Sequence, residues 1–140
     1  MTSSKIFYVQ TTPVHQTTTS QSWANMQGLA ITLPAANADH DRALIFLNVP
    51  NPYATGNNHP AAWFGLKINN ALPAPATTPI ACFSYSTQIL GNDAGRVPTT
   101  LVVEVKLGPS PIPVQAVWQS IRNSTLIVDT PCSLSAVLGN

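Results

Sequence analysis

The sequence predicts an all-β sandwich or jelly roll, and three observations support that fold class. Thirteen prolines and seven glycines interrupt the chain. No segment repeats apolar residues every three or four positions between helix-forming residues, as an amphipathic helix would. In Leu101–Leu107, by contrast, every second residue is apolar and Glu104 and Lys106 fall between them, which is the period of a strand with one buried face.

Further strands are predicted at regular intervals, separated by turns rich in Pro, Gly and Asn. They are Ile6–Gln10, Met26–Leu33, Ala43–Val49, Ala62–Asn69, Ile80–Ser86, Val114–Arg122, Thr125–Thr130 and Ser133–Leu138. Short strands at this spacing are typical of two packed sheets. Gln10–Ser22 is predicted to be a long polar loop or an edge strand, and Asn70–Pro79 to be less structured.

Length and charge limit the classes of protein that this chain can represent. The 140 residues form one predicted domain, 1–140, large enough to bury roughly two-thirds of its unfolded surface. Charged residues make up 8% of the sequence and the formal net charge is +1. Nucleic acid is therefore not an expected partner, because affinity for phosphate backbones comes from clustered Lys and Arg. So few charges indicate a surface hidden in an oligomer or covered by Ser, Thr, Asn and Gln.

The sequence carries no sign of membrane insertion or of a conventional leader. No run of 18 or more apolar residues is present, and the first residues lack an extended apolar stretch. We expect a protein that is cytoplasmic or is exported by an unconventional route to act outside the cell. Without a leader, Cys82 and Cys132 are better explained as two buried thiols than as one disulfide.

The stretch Leu47–Asn58 presents one tyrosine in a segment rich in Pro and Asn. Pro50 and Pro52 fix the backbone angle φ and remove two donors, while Gly56 and the asparagines tolerate turn conformations. We therefore predict that a rigid polar loop displays Tyr53 for recognition.

Trp63 lies on the outer face of its predicted strand. Alternation places Phe64, Leu66 and Ile68 on one face and Trp63 and Lys67 on the other. A large aromatic side chain opposite the core fills a subunit interface, stacks on a ligand or packs against a neighbouring strand. The sequence leaves these three roles open.

Ser84 and Tyr85 are consecutive, so a regular strand sends their side chains to opposite faces. If both contact one ligand, the strand must end or bulge there, or one residue must contribute backbone groups.

The chain has three arginines, Arg42, Arg96 and Arg122. Alternation along the strand places Arg122 on the same face as Trp118, which is the predicted inner face. A buried arginine needs acceptors, so Arg122 should pair with Asp129, Asp93 or a ligand, or else mark the end of a strand. A salt bridge within the chain and a hydroxyl-rich ligand both fit, because the guanidinium group offers several fixed donors.

Several blocks together resemble the TNF-like fucose-binding lectin domain, best known from the N-terminal part of a Burkholderia superlectin. They are Leu47–Asn58, Ala81-Cys82-Phe83-Ser84-Tyr85-Ser86, Gln119-Ser120-Ile121-Arg122, Val128-Asp129-Thr130 and Leu134-Ser135-Ala136. The likeness runs from about Arg42 to Gly139 in the same order. It implies a TNF-like jelly roll, a homotrimer, and fucose pockets that each take residues from two chains without a metal or other cofactor.

The resemblance also implies a set of carbohydrate-binding residues. The matching positions are Tyr53, Trp63, Ser84, Tyr85, Arg96, Arg122 and Thr130. We expect Tyr53, Arg122 and Thr130 to come from one protomer and the other four from its neighbour. Trp63 replaces a tyrosine of the family, which removes a hydroxyl, enlarges the apolar wall and leaves the preferred sugar open. The implied partners are fucosylated glycans.

Two other functions compete with sugar binding. A trimeric structural or adhesion module without a sugar pocket would place Trp63 in dry surroundings and both Arg96 and Arg122 in internal salt bridges. An enzyme is not predicted, because no nucleophile, metalloprotease or phosphate-loop motif occurs. Asp39-His40-Asp41 are neighbours on an extended chain and therefore point apart.

Overall fold

A computed structural model describes residues 5–56, 59–72 and 98–140 in full and residues 83–87 and 93–94 by their backbone. The described residues form twelve strands. They are β1 Ile6–Gln10, β2 Gln16–Thr18, β3 Ala24–Leu33, β4 Arg42–Val49, β5 Tyr53–Thr55, β6 Ala61–Ile68, β7 Phe83–Thr87, β8 Asp93–Ala94, β9 Thr99–Lys106, β10 Ile112–Ile121, β11 Thr125–Val128 and β12 Ser133–Gly139. The predicted all-β sandwich is confirmed.

The strands pair into three antiparallel sheets of four strands each. The first sheet has the order β1-β12-β4-β9, the second β3-β10-β6-β7 and the third β2-β11-β5-β8. One apolar core draws on all three sheets. The short strands β2, β5 and β8 form, together with β11, a third sheet in addition to the two that the sequence predicts.

The core follows the alternation that the sequence predicts. In β9, Leu101 and Val103 are buried whereas Glu104 and Lys106 are exposed. In β6, Phe64 and Leu66 are fully buried, as predicted, and Lys67 lies on the other face.

Several strands end at other residues than predicted, because left-handed backbone angles or a proline stop them. β6 ends at Ile68, since Asn69 and Asn70 adopt φ values of 54° and 65°, which no strand accommodates. β11 ends at Val128 rather than Thr130, shortly before Pro131, which has no N–H to donate. Gln10–Ser22 contains the edge strand β2. Of Ile80–Ser86, residues 80–82 lie outside the described residues, as do positions 73–79 of Asn70–Pro79.

Gly28 allows β3 to bulge against β10. Gln115 pairs with Ala30 but Val117 pairs with Asn25, so β3 carries extra residues at this point. Gly28 has φ +81°, and a Cβ there would lie 2.6 Å from the backbone nitrogen of Thr12. The bulge therefore requires glycine both for its backbone angle and for this close approach.

We expect Gly28→Ala to destabilise the protein by about 2 kcal/mol or more. The alanine would have to adopt a left-handed φ, and its Cβ would overlap with the backbone of Thr12. Gly108→Ala is the matched control, since a Cβ at Gly108 meets nothing within 4 Å. Urea unfolding of the two variants measures the difference. Equal midpoints would contradict this account of the bulge.

Candidate carbohydrate-binding site

Tyr53 lies in a strand and not in a free loop. It opens β5, where it pairs with Ile127 of β11 and is half-buried. The predicted rigid loop is therefore wrong for this residue, because β11 and β8 take up the backbone groups of β5. The pairing fixes Tyr53 more firmly than a loop would.

Arg122 lies in the tight turn between β10 and β11. The Ser124 N–H donates to the carbonyl of Ile121 at 3.2 Å, and Arg122 and Asn123 have φ values of 56° and 55°. Two left-handed central residues define a type I′ turn, in which Asn is common and Arg is not. Of the roles that the sequence left open for Arg122, the structure shows the end of a strand: β10 ends at Ile121, and Arg122 is exposed and does not face inward.

The Arg122 side chain is anchored at one point. Its Nη1 donates to the His59 carbonyl at 2.7 Å. Within the described part of the chain, ion pairs join Arg42 to Asp41 and to Glu104, and none involves Arg122. The suggested salt bridge to Asp129 is therefore not formed, and Asp93 is described by its backbone alone. Most guanidinium donors remain available to a ligand.

Two buried serines hold the turn that carries Arg122. The Ser124 hydroxyl contacts the carbonyls of Ala61 and Ile121 and accepts from the Ala61 N–H at 3.2 Å. The Ser120 hydroxyl donates to the Ser124 carbonyl at 2.5 Å. Both side chains are almost fully buried. This network joins the start of β6 to the turn between β10 and β11, and sequence reasoning missed it, since isolated serines carry no pattern.

We expect Ser124→Ala to lower the free energy of unfolding by about 1–3 kcal/mol, because buried backbone groups lose their partner. Ser22→Ala is a suitable control, since Ser22 is exposed and its hydroxyl meets the hydroxyl of Ser20. Thermal unfolding of both variants tests the expectation, and an unchanged transition in Ser124→Ala would refute it.

Thr130 follows β11 and lies close to Asp129. Its Oγ1 atom is buried and has no hydrogen-bond partner within the described residues. A buried hydroxyl without a partner is costly in a finished structure. Thr130 is thus a polar group that a ligand or a second chain could satisfy.

Trp63 lies on the outer face of β6 and is half-buried, as alternation predicts. Its register partners are Gln119 in β10 and Tyr85 in β7, whereas Ser84 is paired with buried Phe64. The Gln119 side chain donates to the Gln21 carbonyl at 2.6 Å. The neighbourhood of Trp63 is therefore partly polar. The side chains of Ser84 and Tyr85 lie outside the described residues, and so does all of Arg96.

The structure brings three predicted residues to one strand. Arg122 precedes β11, Tyr53 pairs with its middle and Thr130 follows its end. The segment that holds Arg122 through His59 leads directly into β6, where Trp63 is the third residue. Arg122 and Thr130 thus lie at opposite ends of β11, with Tyr53 paired nearer the Thr130 end, and the grouping of the three by protomer stays a prediction.

The described residues show neither a metal cluster nor a reactive thiol. No group of three His, Cys, Asp or Glu side chains is gathered in the part of the chain that the structure describes. Cys132 is a buried free thiol, as predicted, and burial raises its pKa to about 11. Cys82 lies outside the described residues. No described helix is long and apolar enough to cross a membrane.

A family model for the Bc2l-C N-terminal domain matches residues 7–137. The chain belongs to this family. The resemblance on which the site residues were assigned is thereby confirmed, and it extends to the first strand, beyond the part recognised in the sequence. A search of curated proteins found no match.

Solved structures with a similar chain path are distant in sequence. The CBM36-1 domain of a multidomain xylanase from the hindgut metagenome of Trinervitermes trinervoides is 12% identical with a TM-score of 0.42, over 97% of this chain and 98% of that one. The C-terminal domain of EclA, a sugar-binding protein, is 15% identical with a TM-score of 0.41, over 87% and 76%. The insecticidal delta-endotoxin Cry8Ea1 from Bacillus thuringiensis is 4% identical with a TM-score of 0.46, over 90% and 20%. The present chain thus spans about a fifth of the endotoxin's length.

Proposed function

We propose that the protein is a trimeric lectin that binds fucose or fucosylated oligosaccharides in pockets between protomers, without a metal. Membership of the Bc2l-C N-terminal domain family supports a carbohydrate-binding role. To this role the proposal adds that the sugar is fucose, that the fold is a TNF-like jelly roll and that the assembly is a trimer.

The geometry of Arg122 is the observation that carries the proposal. Its guanidinium group is exposed, held by one carbonyl, and displayed from a turn position that disfavours a side chain. Strained backbone of this kind is concentrated at ligand sites. Fixed donors meeting adjacent hydroxyl oxygens are what recognition of a neutral sugar requires.

The outer face of the first sheet supports assembly from several copies. Ile6, Val137 and Leu44 form one row across β1, β12 and β4, with exposures of 68%, 40% and 39%. Tyr8, Phe46 and Val102 belong to the next row, where Ser135 lies between Tyr8 and Phe46, and Glu104 ends the first row on β9. An exposed and mainly apolar sheet face of this kind marks a surface that another chain covers. We assign this surface, the apolar face, to the contact between protomers.

A module without a sugar pocket fits these observations less well. It requires dry surroundings for Trp63 and an internal salt bridge for Arg122. The register partner Gln119 is polar, and Arg122 has no carboxylate partner among the described residues. The surroundings of Arg96 are not described and bear on neither function.

A glycan array on the purified protein, with sedimentation measured alongside, tests the proposal. We expect signals from glycans that end in fucose and a mass of three chains. Three sites on one particle raise apparent affinity for a dense glycan surface by about 10²–10⁴ over one site. A folded trimer that binds no glycan would leave the structural module as the better function.

A further inference from the structure

A cleft crosses the outer face of the second sheet, on the same face as Trp63. It has a volume of about 410 Å³, and its lining is polar at Asn25, Thr32, Lys67, Asn70 and Gln115 and apolar elsewhere. Ala30, Gln115 and Lys67 are register partners in one row across β3, β10 and β6. The cleft is therefore built on paired strands and not on a loose loop.

The Gln115 side chain makes room for the cleft. Its Nε2 atom lies within hydrogen-bond distance of the carbonyls of Met26, Leu29 and Ala116, at 3.1, 3.0 and 2.8 Å. The amide is thereby held in the bulge of β3, and its oxygen remains as a fixed acceptor. The neighbouring residue in this row, Ala30, has a small side chain, so it does not fill the cleft.

Lys67 gives the cleft a positive charge, and the strands of the second sheet contain no residue of opposite charge. The strand sequences of β3, β6, β7 and β10 contain one charged residue, which is Lys67. The side chain is half-buried and has no hydrogen bond or ion pair within the described part of the chain. A lysine beside neutral amides and hydroxyls is a site for an anionic group.

The cleft lies within reach of a sugar bound near Trp63. Lys67 lies four positions after Trp63 on the same face of β6, which is roughly 13 Å along a strand. A short oligosaccharide covers this distance. Its terminal fucose can then occupy the proposed pocket while a neighbouring unit enters the cleft.

We propose that the Lys67 cleft is a second subsite, which binds an anionic sugar unit of the fucosylated oligosaccharide. The inference rests on the proposed function and deepens it, because it gives the lectin a preference for acidic over neutral fucosylated glycans. The anionic group is a carboxylate, as in sialic acid, or a sulfate ester. Asn25, Asn70 and the Gln115 oxygen supply hydrogen bonds to the same unit.

Titration calorimetry with three matched ligands tests the subsite. The ligands are a neutral fucosylated oligosaccharide, its sialylated form and its sulfated form. We expect one or both acidic ligands to bind about threefold to tenfold tighter than the neutral one, an advantage that declines at high salt. Lys67→Gln should remove this advantage and keep the affinity for the neutral ligand. The control Lys5→Gln changes the net charge equally and should keep the advantage.

The outcomes separate the two proposals. Equal affinities of the wild-type protein for all three ligands would overturn the subsite and leave fucose binding intact, as would an equal loss of preference in both lysine variants. If no fucosylated ligand binds, the proposed function fails, and titration with a sialylated oligosaccharide lacking fucose then decides the subsite. Binding that depends on Lys67 would uphold it, and no binding would end it.

Discussion

Replacing Arg122 by glycine is expected to abolish fucose binding while the protein stays folded and trimeric. Charge-assisted hydrogen bonds contribute about 1.5–3 kcal/mol each, so removal of the guanidinium group should weaken binding about 100-fold or more. Glycine adopts the left-handed backbone of position 122, where φ is 56°, without a steric cost. The unfolding midpoint should therefore stay unchanged or rise.

The adjacent residue provides the matched control. Asn123 has φ 55° in the same turn, and its side chain accepts a hydrogen bond from Gln21 at 2.5 Å. Asn123→Gly changes the turn backbone in the same way but leaves Arg122 in place. Titration calorimetry with methyl fucoside should detect binding by Asn123→Gly and none by Arg122→Gly. Equal affinity in the two variants would remove Arg122 from the site.

Placing a carboxylate on the apolar face is expected to separate the trimer. Val137 lies between Ile6 and Leu44 in the register of the first sheet, at the centre of the surface that we assign to the contact. Arg42 lines the same groove as Val137 but already pairs with Asp41 and Glu104, so an ionised aspartate buried there gains no free partner and costs several kcal/mol. Val137→Asp should therefore sediment as a folded single chain, and it should lose binding because each proposed pocket needs two chains.

Thr32→Asp serves as the control for this variant. Thr32 is exposed on the second sheet, so the same carboxylate remains in water there and the trimer should persist. Sedimentation equilibrium measures the mass of both variants. A Val137→Asp protein that keeps three chains would show that the contact lies on another face.

The sequence allowed the regular strands to be predicted, but of the shortest strands it anticipated only β2, as one of two alternatives for Gln10–Ser22. Alternation identified β9 and the two faces of β6, because a buried face leaves a period of two in the residues. β2, β5 and β8 have three, three and two residues, which is too few to show any period. β2 and β5 pair with β11, and β8 pairs with β5, so each depends on a partner distant in sequence.

The composition of the site stays a prediction, and the local structure around its residues was predicted only in part. The family resemblance identified Tyr53, Arg122 and Thr130, which the structure places around β11. Strand alternation predicted an inward-facing Arg122, but alternation does not hold at Arg122, because the chain enters a turn there. The hydrogen bonds of Ser124 and of the His59 carbonyl join residues that are far apart in sequence. No sequence pattern predicts them.

A crystal structure of the protein with bound methyl fucoside tests the central claim most directly. We predict a trimer in which each sugar contacts the Arg122 guanidinium group and Tyr53 of one chain, and the face of Trp63 on a neighbouring chain. A fucoside bound within a single chain, away from Arg122, would contradict that prediction. So would a trimer whose contact buries Arg122 against protein and leaves no space for the sugar.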